Sequence, residues 1–114
     1  MTPRPLTPQE VTVIRAAIAH APAAEVNPAV LGTLEHLRVV HRCDCGCDSV
    51  DFVARDPARP SRPLADGFGE TPAGGAVGII IWGTDDGVTG IEVYDLGAGS
   101  EDIKLPVDTS IRPW

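Results

Sequence analysis

No stretch of this 114-residue sequence approaches the ~18–20 consecutive apolar residues that a membrane-spanning helix requires. Its longest apolar run, AVGIIIW at 76–82, is strand-sized, so no bilayer association is expected. Basic residues are also scarce, nine Lys and Arg standing against sixteen Asp and Glu for a net charge of −7. The imbalance is regional: residues 1–42 carry about +1 and residues 43–114 about −8. Such a surface repels phosphate backbones, which sets nucleic-acid binding aside and makes a basic protein the complementary partner. Aromatics are few, with two Trp, one Tyr and two Phe, while 12 Gly and 11 Pro imply a small core joined by long connections.

Cysteine is limited to three residues, Cys43, Cys45 and Cys47, packed into the segment HRCDCGCDSVDF at 41–52. An odd count at this spacing does not make an extracellular disulfide framework and points to a reducing compartment. The beginning MTPRPLTPQE has neither a basic start nor an apolar stretch with a cleavage site, so the expected location is cytoplasmic. Internal repeats and low-complexity tracts are missing, and no glycine-rich turn precedes a helix where a phosphate would sit. The length fits one domain over 1–114.

Thr7-Pro8-Gln9-Glu10 combines an N-cap, a proline at the first helical position and a glutamate that completes a capping box. A helix over 8–20 follows, with Val11, Ile14, Ala17 or Ile18, and Ala21 inward. Asn27-Pro28 repeats this logic for a second helix over 28–36, weakened by Gly32. Val39-Val40 and Ser49–Ala54 read as short strands joined through the cysteine turn, with Gly46 supplying the bend. The Pro- and Gly-rich segment 55–75 reads as a long loop, tethered to the core by Phe68.

The hairpin 76–82 and 88–94 is the clearest pairing, with Val77, Ile79 and Ile81 facing Thr89, Ile91 and Val93. Its turn, Asp85-Asp86-Gly87, lacks the register of a calcium loop. The second face carries Ile80, Trp82, Glu92 and Tyr94 and is too apolar to be left to water. It is covered by the loop and tail, or by another subunit as in a homodimer. The tail 95–114 reads as extended, with Ile111 and Trp114 as anchors. The fold class expected is α+β: two N-terminal helices packed on a roughly four-stranded antiparallel meander, with an extended C-terminal tail.

RCDCGCDSVDF, followed by VGIIIW and GVTGIEVY, resembles a group of small bacterial proteins that share Arg-Cys-x-Cys-Gly-Cys-x-Ser/Thr-Val-Asp and a later Gly-x-Glu-Val-Tyr strand. The resemblance covers about the last two-thirds of the chain. Asp48 departs from the proline common at that position. The resemblance implies a bacterial cytosolic domain and carries no activity.

Three functional readings remain. The leading one is a non-catalytic protein-binding module, with Trp82, Glu92, Tyr94 and Phe68 as the contact residues and a role analogous to small acidic immunity proteins. The alternative is a thiol metal site holding zinc or copper through His41, Cys43, Cys45 and Cys47, since Cys₃His is a recognised ligand set. Spacing weighs against it, because residues two apart on a strand lie about 6.6 Å apart while zinc needs its sulfurs within ~2.3 Å. A cysteine-based enzyme is the weakest reading: the Cys-x-x-Cys spacing is missing and the aspartates at 44, 48 and 51 oppose thiolate formation. No residue is assigned a catalytic role, and no cofactor is required.

Overall fold

The computed structural model describes residues 2–21, 28–44, 46–53, 57–97, 99 and 103–114. Helix α1 spans Pro8–Ala19 and begins as its sequence dictates, with the Glu10 N–H donating to Thr7 Oγ1 at 3.1 Å and the Thr7 N–H donating to Glu10 Oε1 at 2.8 Å. Glu10, Val13, Ile14, Ala17 and Ile18 are buried, while Gln9, Thr12, Arg15 and Ala19 face water. Arg4 donates to both Glu10 oxygens, tying the short strand β1 (Arg4–Pro5) to the helix start. Strand β2 (Arg38–Val39) pairs with β1 in a separate two-stranded sheet.

The second helix is 3₁₀ rather than α, over Pro28–His36. Thr33 Oγ1 donates to the Val30 carbonyl at 2.8 Å and the Leu37 N–H reaches only to Leu34, so local three-residue contacts displace the α pattern. Val30 and Leu34 still reach the core, at 2% and 3% exposure. The expected Asn27 cap and the Pro22 stop lie outside the described residues.

The main sheet is antiparallel and five-stranded, in the order β3-β4-β7-β6-β5. Its members are β3 (His41–Arg42), β4 (Val50–Asp51), β5 (Arg62–Glu70), β6 (Ala76–Thr84) and β7 (Gly87–Asp95). The loop expected over 55–75 is corrected by β5, nine residues paired along most of β6. An alternating apolar signal is weak there because its core-facing positions are Ala65, Gly67 and Gly69. A Cβ on Gly67 would lie 2.4 Å from the Arg112 carbonyl oxygen, and one on Gly69 would lie 2.9 Å from both Pro106 and Ser110. The tail packs where side chains would otherwise stand. Over 103–114 it is extended except for one 3₁₀ turn at Asp108–Ser110, and it closes the Phe68–Glu70 end of the β5 edge: Arg112 exchanges both backbone bonds with Phe68, and the Val107 N–H donates to the Glu70 carbonyl.

On the core face Val77, Ile79 and Ile81 are fully buried, opposite Asp95, Val93 and Ile91. Thr89 does not share that face. Trp82 pairs with Gly90 and Gly83 with Val88, so Thr89 is the extra residue of a bulge and Val88 takes the inward position at 1% exposure. The Thr89 hydroxyl instead lies 2.6 Å from Ser61 Oγ. Helix α1 and the tail cover this face together with the 3₁₀ segment 28–36, whose Val30 and Leu34 join the same cluster. No helix among the described residues is long and apolar enough to cross a membrane.

Candidate functional site

The cysteine segment forms the turn between β3 and β4. Gly46 bends it at φ 89°, and the Cys43 N–H donates to the Ser49 carbonyl at 3.2 Å. The turn is fastened to the tail: the Asp48 carboxylate accepts the Leu105 N–H at 2.7 Å, and the Asp48 N–H donates to the Ile103 carbonyl at 3.1 Å. A proline at 48 could not make that second bond. Ser49 Oγ replaces a ladder bond, accepting from the Val93 N–H at 2.9 Å and donating to its carbonyl at 3.3 Å.

Of the four candidate metal ligands, His41 is exposed, Cys43 half-buried and Cys47 buried at 8%, while Cys45 lies outside the described residues. His41 Nδ1 stands 3.4 Å from Asp51 Oδ2 across the β3–β4 pair. Among the described residues no group of three or more His, Cys, Asp or Glu side chains is placed to hold a metal ion. The two acids of the β6–β7 turn are engaged as well, Asp86 with Arg59 and Asp85 with Arg62.

The second face of the main sheet is different in kind. Strand register places its residues in rows. Phe68, Gly78 and Tyr94 form one row, Asp66, Ile80 and Glu92 the next, and Pro63, Trp82, Gly90 and Asp51 the third, with His41 beyond Asp51. The Tyr94 ring fills the space above Gly78, where a Cβ would come within 2.1 Å of it. The Trp114 ring stacks on Phe68 with centroids 4.9 Å apart and planes tilted by 40°. Phe68 is 36% exposed and Trp114 64% exposed, while Ile80, Trp82 and Tyr94 are half-buried. An open groove of about 1440 Å³ runs along β4 and β7; His41, Asp51, Trp82 and Glu92 border it on this face, and it continues past the sheet edge to Thr33, Val50, Ile91 and Ile103 on the other.

All four residues named from sequence as partner contacts, Trp82, Glu92, Tyr94 and Phe68, thus fall on one face. The face also holds Asp66 and Asp51, which sequence reading missed. Asp66 was hidden by the loop assignment of its strand, although its two-residue spacing from Phe68 is a strand signal. Asp51 needed the β4–β7 register. Comparison of the chain with protein-family models, curated proteins and solved structures finds no match.

Proposed function

We propose that the protein is a non-catalytic binding module of the bacterial cytosol that recognises a basic protein partner through the second face of its main sheet. The role is of the sort that small acidic immunity proteins perform. The observation that carries this reading is the composition of the face: Phe68, Tyr94, Trp82 and Trp114 are left partly exposed among the carboxylates of Asp51, Asp66 and Glu92. Exposed aromatic surface ringed by one sign of charge favours protein contact, the rings supplying affinity and the charges supplying orientation and on-rate.

The test is affinity capture from the native host at low and moderate salt, with wild type beside a Phe68→Ser/Tyr94→Ser variant and a control altered on the exposed side of α1, Arg15→Ser. The reading expects a captured basic protein that is lost with the face variant and kept with the control. Capture no greater than background, or equal capture by all three proteins, refutes it.

A further inference from the structure

We infer that the partner anchors on this face through an arginine side chain, seated beside Gly90 between the Trp82 ring and the carboxylates of Asp51 and Glu92. The inference rests on the docking reading above and adds the chemistry of its central contact. Across the third row Asp51 is opposite Gly90 and Gly90 is opposite Trp82, so a residue without a side chain separates a carboxylate from an indole. Gly90 itself is buried, and a Cβ there would lie 2.9 Å from the Val50 carbonyl oxygen and 3.1 Å from Asp51 Oδ1, so the seat lies over the Asp51 carboxylate and the indole edge and not in the sheet at Gly90. Glu92 stands two residues along the same face of β7, opposite Ile80. Asp51, Trp82 and Glu92 all line the open groove, with Ser61 and Thr89 beside them.

Charge selects the occupant. Arg59 and Arg62 are engaged by Asp86 and Asp85. Arg112, on the tail, turns its guanidinium back onto the carbonyls of Thr109 and Ile111. His41 accompanies Asp51, and Asp66 and Glu92 flank Ile80. A second copy of the chain would set these carboxylates against their own equivalents, whereas a cationic side chain is attracted by every one of them. Arginine fits better than lysine because its planar guanidinium can lie on the indole while its N–H fork donates sideways to two carboxylates.

The experiment is an amide and indole chemical-shift titration of the full chain with blocked Leu-Arg-Leu peptide, and with the same peptide carrying Lys or citrulline in place of Arg. Shifts are expected at Gly90, Glu92 and the Trp82 indole N–H, with affinity falling in the order Arg, Lys, citrulline. Citrulline, which keeps the shape and loses the charge, should bind about tenfold more weakly. Asp51→Asn and Glu92→Gln should each weaken the Arg peptide about three- to fivefold, and either variant alone suffices if the other folds poorly. Equal binding of the three peptides, shifts confined to Phe68, Tyr94 and Trp114, or no shift at all overturns the arginine anchor. So does sedimentation showing that the face is occupied by a second copy. Of these, shifts confined to the aromatic row leave the docking reading standing, and host capture that depends on Phe68 and Tyr94 decides that reading separately.

Discussion

Replacing Glu10 by alanine removes the group on which the start of α1 depends. Glu10 is 4% exposed, and its carboxylate accepts from two Arg4 nitrogens at 2.9 and 3.1 Å and from the Thr7 N–H at 2.8 Å. All three bonds vanish together. An exposed ion pair would contribute little, but this one is bidentate and its carboxylate is buried, so truncation strands donors with no acceptor. Loss of the reciprocal cap costs about 1 kcal/mol and loss of the charged bonds about another 1–2 kcal/mol. The total of about 2–3 kcal/mol corresponds to a melting temperature lower by about 8–13 °C for a domain of this size.

The same residue sets a pH dependence. Burial pushes the Glu10 carboxyl up, but the Arg4 hydrogen bonds, the Thr7 N–H and the Arg4 charge outweigh it and leave the group below its ordinary value. The folded state therefore binds this proton more weakly than the unfolded state. Its contribution is fully present above the ordinary glutamate value of about pH 4.3 and is lost as pH falls through the lower folded value. Urea unfolding followed by tryptophan fluorescence should show a wild-type advantage over Glu10→Ala at pH 7 that shrinks steadily in acid below that window. A difference under about 0.5 kcal/mol at pH 7, against the cap contribution alone, or one that does not change in acid, refutes the reasoning.

Three further substitutions test the packing around the sheet. Gly67→Ala sets a Cβ 2.4 Å from a backbone oxygen of Arg112 that cannot swing aside; it should cost roughly 2–3 kcal/mol and open residues 106–114 to limited proteolysis, read by mass spectrometry. Gly78→Ala meets first the Tyr94 ring, a side chain that can swing aside, so a smaller loss of about 1 kcal/mol is expected, with the ring displaced outward and its proton shifts altered by NMR. Asp48→Ala removes the acceptor of the Leu105 N–H; a cost of about 1–2 kcal/mol and faster hydrogen exchange at Leu105 are expected.

Helix α1 was legible because its signals are local: a cap, a proline and an apolar stripe lie within one short segment, and Thr7, Pro8 and Glu10 take the expected places. The β6–β7 hairpin was legible for the same reason. What escaped depends on contacts distant in sequence. Strand β5 reads as loop because its inward positions are small, and they are small because residues 106–112 pack on them some 40 positions later. The inward role of Val88 depends on a bulge that alternation alone does not reveal. The face was partly legible through Trp82, Glu92 and Tyr94, whereas Asp51 and Asp66 joined it only once strand order was known.

Strand order also decides how such a sheet can meet a partner. Recognition by strand addition needs a free backbone edge. At one side of the main sheet the Phe68 and Glu70 backbone groups are already bonded to Arg112, Ser110 and Val107 of the tail. At the other side β3 is two residues long, a length that blunts edge pairing. With one edge strapped and the other curtailed, the larger continuous surface is the face itself. Its core side is occupied by α1, the 3₁₀ segment and the tail, and its opposite side keeps four aromatic rings partly in water beside three carboxylates. The C-terminal strap therefore has two consequences at once: it occupies the Phe68–Glu70 end of the β5 edge, shortening what is left for strand addition, and it brings Trp114 onto Phe68, extending the aromatic row by one ring.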